Sequence, residues 1–315
     1  MRALSGTKAP ELKADPIIHH PSVRTMLLTQ KAVAEGGRSM VYECAKLVDK
    51  MDLCEAAGDA KGAKAIDERL AFLTPILKGF LTEVGKEAAD LGIQAYGGHG
   101  YIKDNKAEQV FRDVRIAALW EGTTQIQVRE ASTAFHAVTP VYPIAFPLPP
   151  PPWQALDLLG RKIMLQKLAP IKTATKRLRE QCAPHLFAGG QLGKHSRALW
   201  FKAWEWQYLT YRIAYKAGSE SKEYISSASV DFLMYSGYVT LASHWLKMEA
   251  AATAALAKPA DATEEPDFYK AKIQTSAFVF DRLLPRCASH KEIMLAPVSS
   301  STDLAPGDFS FDHSR

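Results

Sequence analysis

Apolar side chains recur at three- and four-residue spacing across almost every stretch of this 315-residue chain that lies between its glycine and proline clusters. Nowhere do Val, Ile and Thr alternate convincingly at the two-residue period of a strand, so the pattern restricts the chain to packed helices. Over residues 22–57, Val23, Met26, Leu27 and Val33, then Met40, Val41, Cys44, Leu47 and Val48, share one face. A second stripe, Ile66, Leu70, Leu73, Leu77, Phe80, Leu81 and Val84, predicts a helix over 64–89 that Pro75 should kink or end. A third helix is expected over 106–119 and a fourth from Thr123. Further on, 155–178, 194–217, 221–256 and 267–293 repeat the amphipathic pattern, joined by the polar connectors "FAGGQLGK" and "KPADATEEP". The expected organisation is an irregular lead-in over 1–15, helical blocks over 16–127 and 155–293, and a flexible tail over 294–315.

Composition removes several classes of function. The 39 basic residues are scattered singly among 34 acidic ones for a net charge of +5, so no stripe marks a nucleic-acid backbone. Cys44, Cys54, Cys182 and Cys287 show no CxxC or metal-ligand spacing, which fits a reducing compartment and argues against a disulfide framework or a zinc site. No metal site is expected. No apolar run approaches the roughly 18 to 20 residues that cross a bilayer. The opening "MRALSGTKAPELKADPII" lacks the apolar region of a secretory signal, although its first ten residues have the character of a weak transit peptide. The compartment stays open among mitochondrial or peroxisomal matrix and bacterial cytoplasm, and "HSR" is a poor peroxisomal terminus.

The densest chemistry lies in "GIQAYGGHGYIKDNKAEQVFRDVRIAALWEGTTQIQ", residues 92–127. Gly97, Gly98 and Gly100 fall where a long helix ends, so one reading is a helix C-terminus followed by a tight turn that needs positive φ. The other is a backbone stripped of side chains so that a pyrophosphate can reach its N–H groups. Neither GxGxxG spacing nor a preceding strand is present, which rules out a Rossmann fingerprint. Glu121, between Trp120 and Gly122, is either a first-turn acid that complements the helix dipole or a general base in an apolar pocket. His99 reads as a turn residue, and Arg112 and Asp113 as structural pairs. The aromatics Trp200, Trp204, Trp206, Tyr208, Tyr211 and Tyr215, all on one helix, are expected in the core or at an interface.

Taken in order, the Gln, the GGxGY turn, the Arg-Asp pair, the aromatic-Glu-Gly-Thr step and Gln-Ile-Gln of that stretch resemble the C-terminal helical domain of acyl-CoA dehydrogenases. "ADPIIHHPSVRTMLL", "LTPILKGFLTEVG" and the helical C-terminal extension resemble the 3-methylmercaptopropionyl-CoA dehydrogenase-like subgroup. The resemblance implies an all-α fold, a four-helix-bundle domain followed by a second helical bundle, without the family's N-terminal and middle β-domains. It implies that Glu121 removes the α proton of an acyl-CoA thioester while the β hydrogen leaves as hydride to N5 of FAD. Gln94, Gly97 and Gly98 match positions that hold the ADP part of FAD from a neighbouring subunit. Thr123 and Gln125 match positions near its pyrophosphate and adenosine. Gly122 lets substrate lie close, and Trp120 stands where Tyr is commoner. The implied partners are an acyl-CoA substrate, further copies in a dimer or tetramer, and an electron acceptor such as an electron-transfer flavoprotein. By itself the chain is expected to bind FAD poorly and not to turn over substrate, Met1 reading as an internal methionine or the edge of a truncated gene model, which sets the transit-peptide reading aside. A non-catalytic helical assembly protein derived from such an enzyme is the alternative.

Between "LWEGTTQIQ" and "ALDLLGRKIM" stands a passage that ends in "PLPPPPW", which no helix accepts. In the resembling subgroup the two flanks run directly together, and removal of residues 128–154 restores that junction. The segment is 27 residues, or 81 nucleotides, and keeps frame. A Val codon begins GT, "FPLPPPP" is encoded by pyrimidine-rich codons, and Gln154 can be CAG, which together suggest a translated intron. A genuine polyproline loop for an SH3- or WW-like partner is the alternative.

Overall fold

The computed structural model describes residues 1–120, 155, 157–259 and 262–309. Among these every regular element is helical and no strand occurs.

Asp15 organises the lead-in. Its carboxylate accepts the backbone N–H groups of Ala3, Lys8 and Ala9 at 2.8, 2.9 and 2.9 Å and faces Arg2 Nη1 at 3.2 Å. These donors, Ala3 N–H foremost, outweigh the cost of burial and hold its pKa well below the usual carboxylate range.

Helix α1, Pro21–Ala56, begins on a proline that needs no donor in a first turn. Helix α2, Ala60–Tyr96, follows after a turn through Gly58 at φ 72°, and Asp59 caps it by accepting Gly62 N–H at 2.9 Å. Pro75 does not break α2. It is buried, flanked by the core residues Phe72, Ile76 and Phe80, and that burial outweighs the missing hydrogen bond. Helix α3, Ala107–Ala117, starts after Lys106 at φ 59°.

The helix expected over 155–178 is interrupted. A π-helical segment, Asp157–Met164, gives way to Lys167 and Leu168 at φ 52° and 63° before α4, Ala169–Cys182, starts afresh with Pro170 in its first turn. Helix α5 spans Gly190–Ser219 and α6 Tyr224–Ala257. The helix expected over 267–293 is likewise divided, into α7, Pro266–Phe278, a π turn, Val279–Leu283, a 3-10 turn, Leu284–Arg286, and α8, Cys287–Leu295. Pro285 supplies the reason, since it has no N–H for the α ladder. The stretch expected to be a loose tail begins inside the fold, because Met294 and Val298 are buried.

Helix α6 is the centre of the molecule and is not amphipathic in its middle, where residues 235–246 are all buried. It packs against α1, α2, α5, α7 and α8, so core residues of the first block, such as Met40, Ile76 and Phe80, form one cluster with Phe232, Tyr235 and Trp245 of the second. Two glycines allow the close crossings. A Cβ at Gly36 would stand 2.4 Å from Leu241 Cδ1 and 2.6 Å from Trp245 Nε1, and one at Gly237 would stand 2.1 Å from Phe80 Cγ. Trp245 Nε1 then donates to Ala32 O at 3.0 Å, tying α6 to α1. The fully buried Glu249 is satisfied in this half: it pairs with His195 Nδ1 at 2.7 Å and accepts from Ser276 Oγ at 2.6 Å and Gln191 Nε2 at 2.9 Å.

Candidate functional site

The candidate site is built on the far end of α2 and its return through α3. Gly97 ends α2 at φ 61° and donates its N–H to Gln94 O, so glycine is required there by backbone conformation. The chain turns through a 3-10 segment, Gly97–Tyr101. Gly100 is required by packing, since a Cβ would lie 2.4 Å from Ile93 O. Gly98 is required by neither, as its Cβ would meet nothing within 4 Å and the residue is exposed. Asn105 Nδ2 donates to His99 O at 2.7 Å and pins the turn, which makes His99 a turn residue. Gln94 is exposed beside it. A shallow hollow of about 300 Å³ lies next to this turn, lined by Gln30, Gly92, Tyr96, Asn105 and Val110.

Helix α3 carries the chain back along α2. It buries no residue of its own, and Tyr101, Val110, Ile116, Leu119 and Trp120 are all exposed. Asp113 accepts from Gln109 Nε2 at 2.7 Å, while Arg112 forms no ion pair among the described residues. The return ends at Lys78, whose Nζ donates to the carbonyls of Ala117 and Trp120, the latter at 2.6 Å. A lysine here satisfies carbonyls that a helix C-terminus leaves open and complements its dipole. Sequence reading missed Lys78, because a single lysine among Leu77, Gly79 and Phe80 carries no motif.

Gln94, Gly97 and Gly98 are therefore gathered at one end of α2, and Trp120 is anchored elsewhere. Lys78 and Gln94 are separated along α2 by ~24 Å, taking 1.5 Å per residue. Glu121, Gly122, Thr123 and Gln125 lie outside the described residues, as do 126–154 and with them the Pro-rich passage.

Two family models match this chain in succession. Residues 2–134 match "Acyl-CoA dehydrogenase, C-terminal domain", and residues 170–305 match "Acetyl-CoA dehydrogenase C-terminal like". The chain belongs to the acyl-CoA dehydrogenase family. It is 33% identical over 291 residues to the 3-methylmercaptopropionyl-CoA dehydrogenase of Ruegeria pomeroyi, covering 89% of this chain and 42% of that protein. To the broad-specificity linear acyl-CoA dehydrogenase FadE5 of Mycobacterium tuberculosis it is 30% identical over 290 residues, covering 88% and 41%. Its fold is like that of an acyl-CoA dehydrogenase from Bacillus anthracis solved in complex with FAD, with a TM-score of 0.62, 17% identity and coverage of 93% of this chain and 44% of that one. The chain thus spans about two fifths of the length of the curated relatives it matches. Within this family member, the glycine turn and the Lys78 anchor both fall in the first matched region, and residues 135–169 fall in neither.

Proposed function

We propose that this chain supplies the base and part of the cofactor cradle of an enzyme that dehydrogenates acyl-CoA thioesters at the α,β position, using FAD. Glu121 takes the α proton. Such a proton is weakly acidic, so the carboxylate has to meet it away from bulk water, where its pKa rises toward that of the proton it removes. Lys78 acts as a positioning residue by holding the Trp120 carbonyl one residue before Glu121. Trp120 and Gly122 border the thioester.

The observation that carries this reading is Gly98. Its missing side chain has no cause among the described residues, and its exposed backbone fits a group that approaches from outside, as the pyrophosphate-bearing end of FAD would. Gln94, Gly97 and Gly98 would hold that end, with Thr123 and Gln125 near the pyrophosphate and adenosine. FAD, when bound, supplies the hydride acceptor. The ~24 Å between Gln94 and Lys78 supports an arrangement in which the glycine turn of one copy serves the dinucleotide beside Glu121 of another. An electron-transfer flavoprotein is the matching oxidant.

The test is made in the intact gene product. Glu121→Gln should abolish oxidation of acyl-CoA thioesters while flavin absorbance is kept; undiminished turnover would remove Glu121 as the base. Absence of flavin from the wild-type product would favour a non-catalytic assembly role.

A further inference from the structure

A second concavity lies well inside the junction of the two matched regions and takes no part in the proposed chemistry. It measures about 680 Å³ and is walled by α1, α2, α4 and α6, with Trp206 of α5 behind. That volume is in the range of small-molecule sites. Its walls are apolar, from Phe72, Leu73, Leu178 and Val239, three of them buried.

Its polar groups are unevenly satisfied. Glu43 is shared among Arg69, Lys247 at 2.5 Å and His244 Nε2 at 3.4 Å, so the carboxylate is fully engaged. Arg177, at the mouth, has no hydrogen bond or ion pair among the described residues. Arg177 is itself exposed to solvent, and partial desolvation with the nearby charge of Arg69 draws its pKa below the usual arginine value, despite the opposing pull of Glu180 and Glu43. Trp206 is buried and its indole N–H has no acceptor among the described residues.

We propose that this concavity binds a small amphipathic carboxylate, its head group on the Arg177 guanidinium and its hydrocarbon body against Phe72, Leu73 and Leu178. The guanidinium fork matches a carboxylate in two parallel hydrogen bonds. A dianion is disfavoured, because Glu43, Glu68 and Glu180 also line the cleft, Glu68 and Glu180 at its exposed rim. An uncharged chain of the same length leaves Arg177 unpaired. The inference is independent of the catalytic reading, since no residue is shared between the two.

Calorimetric titration of the full 315-residue chain with sodium octanoate tests it. One saturable site is expected, with octanol and inorganic phosphate each at least about tenfold weaker, a difference of ~1.4 kcal/mol. Arg177→Gln should weaken octanoate by about tenfold or more, and Arg177→Lys by less, because a lysine keeps the charge without the fork. Arg177 bonds to nothing described, so neither variant should alter the thermal melt. Ala174→Trp, which fills the cleft, provides a second block. The proposal is overturned if octanoate shows no saturable binding, if Arg177→Gln binds it as the wild type does, or if phosphate binds as tightly as octanoate.

Discussion

Arg286 grips Glu87 with both ends of its guanidinium, Nη1 to Oε2 and Nη2 to Oε1, each at 2.7 Å, and Nη1 also donates to Tyr238 Oη at 2.9 Å. This pair joins residues 199 positions apart, one on α2 and one in the turn before α8. Both side chains are more than a third exposed, at 36% and 37%, so solvent screens much of the interaction. A double-mutant cycle of Glu87→Gln and Arg286→Met, read by chemical denaturation, should give a coupling of ~1 kcal/mol. Coupling indistinguishable from zero would show that the pair sets geometry without adding stability.

The helix crossings at Gly36 and Gly237 should respond sharply to one added methyl. Alanine gains ~1 kcal/mol in helix propensity. At Gly36 it meets Leu241 and a Trp245 ring already hydrogen bonded to Ala32, and at Gly237 it meets the buried Phe80 ring. Overpacking costs ~1 to 3 kcal/mol, so both substitutions should be net destabilising. Gly85→Ala is the control, since its Cβ would sit 3.6 Å from Val114 Cγ2, an ordinary contact, and it should be neutral or stabilising. Denaturation midpoints of the three variants separate these outcomes.

His244 predicts a pH dependence of stability. Burial first, then the charges of Lys247 and Arg69, push its pKa down to about 4 against the upward pull of Glu43. An unfolded histidine titrates near ~6.5. Between those values the unfolded chain takes up a proton that the folded chain refuses, so stability falls as pH falls through that window. The loss totals ~3 kcal/mol at most and is complete below the folded pKa. Melts of His244→Gln should lack the part of this slope that lies above the carboxylate range. A slope equal to the wild type's would exclude His244 as its source.

Gly97 and Gly98 should separate folding from cofactor binding. Gly97→Ala forces alanine to φ 61° and should destabilise the chain by ~1 kcal/mol. Gly98→Ala fills open space and should leave the melt unchanged, yet reduce flavin content of the intact gene product. Full flavin content in Gly98→Ala would detach that residue from the proposed cradle.

Lys78→Met should lower turnover of the intact product without loss of flavin, because it frees the Trp120 carbonyl next to Glu121. Rescue by Lys78→Arg, which restores a cation at the helix end, distinguishes anchoring from general destabilisation.

The sequence by itself determined that the chain is helical, because a three-and-four apolar period buries one face only in a helix. It also located the turn at Gly97 and, to within a residue, the helix starts at Pro21 and Pro266, but not the restart at Pro170. Local chemistry accounts for these, since caps, prolines and positive-φ glycines act within a few residues. It did not determine that α2 runs through Pro75, that Gly36 and Gly237 sit at crossings, or that Lys78 anchors Trp120. Those depend on which helix lies against which, and the partners are distant in sequence: Leu241 for Gly36, Phe80 for Gly237, Trp120 for Lys78. Period and propensity describe one helix at a time. Only the packing of α6 against α1 and α2 decides which small residue is a contact and which lysine is a strut.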